Sequence, residues 1–590
     1  MAFVVMRQEP LRRTILPATV SFTPELRPNV WDLAILPLVL GILWLLAFGG
    51  SQMLTPYNVG DPLPISLDPV ELPYYLLRSF LRMAAGLALS LVFTLVYATL
   101  AAKSRYAEKV MIPVLDILQS IPILGFLSIT VTGFIALFPG NLLGVECAAI
   151  FAIFTSQAWN MTFSFYASQK SIPSELSEAA NMFHLSAWQR FWRLELPFAT
   201  PNLIWNMMMS VSGGWFFVVA SEAITVHGQV ITLPGIGSYI ALAIQQKNLA
   251  AIGWAILAMF AGILIYDQFF FRPLVAWADK FKSEHTPGEE APTSRLLDIL
   301  QRARLFGHVA ALPSWVWEKS LPVFRKRRDG LSPVPAMSSQ SGWRWFDRGW
   351  NVLLLVVALS ITGRLIDYVH GSIGLAEIGH VFLLGLATAL RVIVLIALAS
   401  AVWLPIGVWI GLRPKVAQAA QPIIQFLAAF PANLMFPLVV MLILHFDLSV
   451  EIWTSPLMIL GTQWYILFNV ISGAMLIPTQ LKDAAGNFGL KGWLRWKRLY
   501  LPAVFPTYVT GAITASGGAW NASIVSEMVD WGDTTLMATG LGSYIAESTK
   551  QGDFPRIALG ITVMCIYVML FNRQIWRRMY RLAEERLRID

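Results

Sequence analysis

The chain has 590 residues, 56% of them hydrophobic and 13% charged. Soluble chains carry roughly 25% charged residues, so a water-exposed globular protein is excluded, and the hydrophobicity excludes disorder. In a chain this apolar, the net charge of +8 reads as topology marks beside a bilayer, not as a nucleic-acid footprint.

Residues 1–32 form an expected cytoplasmic segment. It carries Arg7, Arg12, Arg13 and Arg27 and has no apolar core of a cleavable signal. Apolar runs of membrane-crossing length then recur. Six fall in a first unit, 33–272, at about 33–50, 80–102, 120–138, 142–163, 203–222 and 249–271. Residues 273–348 are polar and rich in Pro and Ser, as in a cytoplasmic linker. Within it, Ser294–Phe306 alternates leucines and arginines at helical spacing, as in an amphipathic helix on the membrane surface or an ordinary short helix of the linker. A second unit, 349–573, gives runs at about 350–366, 381–411, 424–446, 453–473, 508–528 and 556–572. The 381–411 run is long for one upright helix, and Pro405 is expected to end, tilt or bend it. A basic cytoplasmic tail, 574–590, closes the chain. The fold class expected is an all-α polytopic membrane protein with about twelve transmembrane helices.

With the N-terminus inside, the expected outer loops contain only Arg78, Lys247 and Lys550. The expected inner segments hold Lys103, Arg105, Lys109, Lys170, Arg190, Arg193, the cluster Arg325-Lys-Arg-Arg328 and the arginines of the tail. This asymmetry places both termini in the cytoplasm. Cys147 and Cys565 lie far apart in apolar runs, and the seven histidines are scattered, so no disulfide framework or metal-ligand spacing is offered.

The strongest signal is an internal repeat. Pro173-Ser-Glu-Leu-Ser-Glu-Ala-Ala-Asn-Met-Phe-His-Leu matches Pro478-Thr-Gln-Leu-Lys-Asp-Ala-Ala-Gly-Asn-Phe-Gly-Leu at an offset of 305. The same offset pairs Trp188 with Trp493, Arg190 with Arg495, Leu196-Pro197 with Leu501-Pro502, Trp215 with Trp520 and Glu222 with Glu527. It also pairs Gly235-Ile-Gly-Ser-Tyr with Gly540-Leu-Gly-Ser-Tyr. Upstream, an offset of 309 pairs Leu81-Arg82 with Leu390-Arg391, Pro113 with Pro422 and Pro122 with Pro431. The chain therefore reads as two parallel six-helix repeats, which in transporters enclose a pathway between them. The densest matches fall on a loop between the fourth and fifth spans. There Pro173 and Pro478 suit a helix start, Glu175 and Glu178 favour its N-terminal end, and the alanine pairs leave room for a partner. Leu-Pro is expected to end that segment. A surface helix presented twice reads as a docking element for a paired soluble partner.

These residues resemble the inner-membrane component of binding-protein-dependent ABC importers. That family carries a Glu-Ala-Ala loop, then a glycine, then Leu-Pro. The first copy here is Glu178-Ala179-Ala180 … Leu196-Pro197, with His184 at the glycine position; the second is Asp483-Ala484-Ala485 … Gly489 … Leu501-Pro502. The branch resembled is the nitrate/sulfonate/taurine type, through Trp215 … Glu222 … Gly235-Ile-Gly237 and Trp520 … Glu527 … Gly540-Leu-Gly542. The openings Ser79-Phe-Leu-Arg82 and Ala387-Thr-Ala-Leu-Arg391 echo the branch as well. Most members resemble half of this chain and work as dimers, so this one looks like a fused pair.

The resemblance implies a type I ABC importer fold and two copies of a cytoplasmic ATPase. They would dock on Glu175, Glu178, Ala179, Ala180 and Leu185 in one half and on Asp483, Ala484, Ala485, Gly489 and Leu490 in the other. It also implies an external or periplasmic substrate-binding protein, a bacterial inner-membrane location among lipid, and a small anion such as a sulfonate or nitrate as cargo. ATP and Mg would be bound by the partner ATPase, since no G-x-x-x-x-G-K-[ST] occurs in this chain. Nor does H-E-x-x-H or G-x-S-x-G occur, so no enzyme activity is expected here.

Charges within apolar runs are costly. Arg82 is expected to pair with Glu222, and Arg391 with Glu527, as braces or as an outer gate. Gln157, Asn160, Ser164, Gln463 and Asn469 are candidates for the substrate pathway, although helix-to-helix hydrogen bonding also accounts for such residues. An ion-coupled secondary transporter is the competing reading. It would need repeated ionisable residues at mid-membrane, whereas those visible lie near helix ends.

Overall fold

A bilayer offers the backbone no hydrogen bonds, so apolar runs fold as helices that satisfy their own amides. The computed structural model describes residues 30–57, 64–226, 229–281, 294–302, 373–586 and single positions between 350 and 371. The expected seventh span, 350–366, lies largely outside the described residues, as do the N-terminal arginines and the cluster 325–328. The chain divides into two compact units. The smaller comprises 1–44 and 295–332; its described parts are the first turns of helix Val30–Met53 and the short helix Arg295–Arg302. The larger comprises 45–294 and 333–590 and holds both repeats.

In the larger unit the repeat holds element by element. The segment Arg105–Ser120 corresponds to Pro414–Ala429 at offset 309. At offset 305, Ser174–Met182 corresponds to Thr479–Asn487 and Leu249–Tyr266 to Phe554–Phe571. Each half also contains a four-residue-strand hairpin that periodicity did not reveal. These are Ala223–Val226 with Gln229–Thr232, and Met528–Trp531 with Thr534–Met537.

Among the described residues, five helical stretches are long and apolar enough to cross a membrane, and three bent helix pairs pass the same test together. Of the other expected spans, 350–366 lies largely outside the described residues, and helices Val30–Met53, Leu143–Lys170 and Leu501–Ser526 are not among those that pass. The expected span 120–138 is the second arm of a helix that turns at Pro122, and 424–446 runs across the turn at Pro431; both prolines are extended. Span 453–473 is divided into Val450–Trp453, Ser455–Leu460 and Gln463–Met475, with a bend of 44° before Gln463. Its counterpart, Leu143–Lys170, is one continuous helix. The run around Pro405 does not end early at the proline. Leu375–Gly411 is a single helix of 37 residues, with Pro405 inside it, about 55 Å long at 1.5 Å per residue.

Leu-Pro also behaves differently from the expectation. Leu196-Pro197 and Leu501-Pro502 open the long helices Leu196–Glu222 and Leu501–Ser526 instead of closing a segment. A π-helical turn precedes each, Phe191–Glu195 and Trp496–Tyr500. A wider turn changes the hydrogen-bond register just where proline lacks a donor.

The halves interlock. Ile123 N–H donates to Asn521 Oδ1 at 2.7 Å, and the Gln425 amide donates to Asp267 at 2.9 Å. Arg577 pairs with Asp116 at 3.0 Å. Both buried apolar clusters draw residues from both repeats. Each half therefore lends its bent helix pair to the other.

Candidate functional site: a cavity between two braced halves

Three features repeat in the two halves: a charged brace beside the hairpins, a surface helix, and a wall of a shared cavity. The brace is built on the second Gly of each Gly-x-Gly. Gly237 N–H donates to Glu222 at 2.7 Å, and Gly542 N–H to Glu527 at 2.7 Å. Ser79 and Thr388, equivalent at offset 309, donate to the same carboxylates at 2.6 and 2.8 Å. The expected pairs are formed: Arg82 to Glu222 at 2.7 Å and Arg391 to Glu527 at 3.0 Å. Each arginine also donates to a carbonyl of the segment after the hairpin, Pro234 at 2.9 Å and Thr539 at 2.8 Å. Each brace thus ties the first core helix, the end of the fifth and the hairpin segment together.

One partner in each brace escaped sequence reasoning. Glu146 accepts from Arg82 at 2.6 Å, and Glu451 pairs with Arg391. The two glutamates are 305 apart, so the repeat offset was the signal that could have found them. Arg78 was expected in an outer loop. It lies instead inside helix Leu72–Lys103, 1% exposed, and pairs with Glu146 at 2.7 Å. Ala387 stands at the position equivalent to Arg78. The first brace is therefore balanced, two arginines against two glutamates, and sealed. The second has one arginine against two glutamates, with the Glu451 side chain 48% exposed.

The two surface helices share a second device. His184 (φ 48°) and Gly489 (φ 66°) are both left-handed. Leu185 N–H reaches Ala180 O at 3.1 Å, and Leu490 N–H reaches Ala485 O at 2.9 Å. This helix ending requires a left-handed residue and favours glycine. The structure thus explains why glycine belongs there, and why histidine is the strained version. His184→Gly is expected to stabilise the chain by about 1 kcal/mol. A rise in melting temperature of the purified protein would show it; an unchanged or lower value would refute it.

Exposure divides the candidate docking residues. Glu175, Glu178, Asp483 and Gly489 are exposed, and Ala179, Ala484, Leu185 and Leu490 are half-buried. Ala180 and Ala485 are buried within the chain, where their small size allows internal packing. The exposed tips are apolar instead, Phe183 at 79% and Phe488 at 83%. Arg190 and Arg495 hold the helices from beneath, through Ser177 Oγ and Lys482 O, both at 3.1 Å.

A cavity of about 380 Å³ lies between the halves. Asn160 and Asn469 line it. Gln157, Ser164 and Gln463 are not on its described wall. Gln157 is fully buried against Met83, Ser164 accepts from the Asn206 amide at 2.7 Å, and Gln463 accepts from Trp403 Nε1 at 2.9 Å. These three bond helix to helix, the alternative that polar residues on apolar helices always carry. Among the described lining residues none is Asp, Glu, Lys, Arg or His. Among the described residues no cluster of His, Cys, Asp and Glu could hold a metal ion.

The sequence profile of the binding-protein-dependent transport system inner membrane component family matches residues 95–271 and again 404–589. The chain is 25% identical over 285 residues to the nitrate import permease protein NrtB of Synechocystis, covering 46% of this chain and 96% of that protein. It is 24% identical over 205 residues to the bicarbonate transport system permease protein CmpB of Synechococcus elongatus, covering 35% and 67%. It is 30% identical over 128 residues to the glycine betaine/carnitine transport permease protein GbuB of Listeria monocytogenes, covering 22% and 42%. With two family domains over most of its length, the chain is a membrane-embedded transport permease of the binding-protein-dependent transport system inner membrane component family.

Proposed function

We propose that this chain forms the complete membrane channel of an ATP-driven importer for a small anion. The two surface helices, Ser174–Met182 and Thr479–Asn487, each dock one copy of a soluble ATPase that holds ATP and Mg. The end carrying these helices faces the cytoplasm with both chain termini, and the hairpin end receives cargo from an external binding protein. ATP-driven closure of the ATPases swings the halves and exposes the cavity alternately to the two sides. Reversing a 1:99 equilibrium requires about 5.5 kcal/mol of differential binding, which the ATPases supply through these helices. The braces serve as gate supports at the outer mouth.

The observation that carries this reading is the pair of exposed aromatic tips, Phe183 and Phe488, at equivalent positions of the two surface helices. The kinship with nitrate and bicarbonate permeases supports an anion. Ion-coupled exchange is disfavoured, since Tyr465 is the one titratable side chain among the described lining residues, and its equivalent in the first half is Asn160.

The test is co-expression with candidate ABC ATPases from the same genome. One chain is expected to retain two ATPase copies through gel filtration, and vesicles loaded with ATP and given the cognate binding protein should move nitrate or taurine. Phe183→Asp with Phe488→Asp should release the ATPase and stop ATP-dependent movement while the chain stays monodisperse. Retention of the ATPase by the double variant would sink the docking assignment.

A further inference from the structure

The two halves finish their last helices differently. Phe554–Phe571 runs through a π-helical turn, Asn572–Trp576, into the helix Arg577–Arg586. In the first half Leu249–Tyr266 runs through the turn Asp267–Phe271 into Arg272–Ala278. At offset 305 Arg577 matches Arg272, but Asn572 replaces Asp267, Trp576 replaces Phe271, Tyr580 replaces Val275 and Arg581 replaces Ala276. The second half thus exchanges an acid, a phenyl ring and two apolar groups for four hydrogen-bond donors.

These five residues of the second half, with Ile513, line one pocket of about 300 Å³. No carboxylate is among its described lining residues. Trp576 is 5% exposed, and its indole N–H is buried with no hydrogen-bond partner among the described residues. A buried donor left unpaired is costly. Arg577 is met by Asp116 at 3.0 Å, whereas Arg581 and the Asn572 amide have no partner among the described residues. Like charges four residues apart on a helix repel, so this cluster favours a counter-charge from outside the chain. In the first half Arg272 is answered within its own turn by Asp267, at 3.5 Å, and no second arginine follows at the equivalent place.

The surroundings point to the source of that charge. The pocket lies toward the end of the helical stretch Phe554–Ala583, which is long and apolar enough to cross a membrane. Met569 and Leu570 just before it and Leu582 just after it are exposed, as is Tyr580. Exposed apolar side chains and a tyrosine beside arginines mark a lipid boundary, where a basic pocket meets headgroups.

We propose that this pocket binds the phosphate of one anionic phospholipid headgroup. Trp576 Nε1 and the Arg577 and Arg581 guanidiniums are the donors, and the acyl chains lie over Met569 and Leu570. The first half lacks the donors, so the site occurs once per chain. Ile513 also lines the cavity between the halves, so free phosphate is the other source of the same chemistry. The proposal depends neither on the direction of transport nor on the docking of an ATPase.

The test uses the purified full chain, delipidated in a neutral detergent and titrated with phosphatidylglycerol or phosphatidylcholine, with bound lipid counted by native mass spectrometry. One phosphatidylglycerol per chain is expected to bind at least about tenfold tighter than phosphatidylcholine, as two arginines beside a headgroup imply. Arg581→Gln should weaken that binding about fivefold. Trp576→Phe, which keeps a ring and drops the donor, should weaken it by about as much. Arg578→Gln, at an exposed arginine outside the pocket, should leave it nearly unchanged. Melting temperature checks that each variant is folded, and Arg581→Gln, at an exposed position, decides the matter if Trp576→Phe does not fold. Equal binding of the two lipids, or equal loss from Arg578→Gln and Arg581→Gln, would overturn the proposal. Displacement of the lipid by an equal concentration of inorganic phosphate would overturn it as well, by assigning the pocket to a free anion.

Discussion

Arg82→Met is expected to abolish accumulation of the folded chain. Arg82 is 0% exposed and is shared between Glu146 and Glu222, themselves both 0% exposed. Removing it leaves Glu222 without a cationic partner and Glu146 with Arg78 alone. Breaking a buried pair by deleting one partner costs about 3–5 kcal/mol, a large share of the 5–15 kcal/mol that holds typical proteins folded. Arg391→Met should cost much less. Arg391 retains a 15% exposed side chain and Glu451 is half open, so water can take over part of the lost interaction. Yield of monodisperse protein by gel filtration, followed by melting temperature, distinguishes the two. Adding Glu222→Gln to Arg82→Met should recover part of the loss, because the stranded charge disappears while Glu146 keeps Arg78. Equal damage from Arg82→Met and Arg391→Met would refute the unequal sealing of the braces.

That inequality shows what a sequence with an internal repeat reveals and what it withholds. Arg82 with Glu222 and Arg391 with Glu527 were legible, because paired opposite charges in apolar runs have few affordable arrangements. The surface helices were legible from the motif, and their boundaries agree at a single offset. Glu146 and Glu451 were overlooked because one carboxylate near the start of a span resembles a helix-end charge until its partner is known. The hairpins are four residues per strand, too short for alternation to stand out from the flanking helices. The break before Gln463 has weak local cues, since Gly461 and Thr462 are tolerated inside membrane helices and Ser156 and Gln157 hold the equivalent place without a break. Pro405 shows the converse, a strong local cue overridden within a long helix. Local signals predict the elements; which of two equivalent elements departs from the pattern is settled by packing between the halves.

Gly237→Ala should be nearly as damaging as loss of Arg82, for a steric and not an electrostatic reason. A Cβ at Gly237 would lie 2.2 Å from the carbonyl oxygen of Val219 and 2.9 Å from Glu222 Cβ. The first of these is backbone in the helix that carries Glu222, so no rotamer change relieves it. Gly237 would have to withdraw, and its 2.7 Å hydrogen bond to Glu222 would lengthen with it. Overpacking typically costs about 1–3 kcal/mol and more where backbone must move, and here the loss of an amide from a buried carboxylate is added. Gly542 is placed alike, 2.3 Å from Ser523 O, so Gly542→Ala should fail by the same route. By contrast Gly253, where a Cβ would meet nothing within 4 Å, should accept alanine with a melting temperature at or above that of the parent. If Gly237→Ala and Gly253→Ala melt alike, the close approach of hairpin segment and fifth helix is not what holds the glutamate, and the brace must be supported from the arginine side alone.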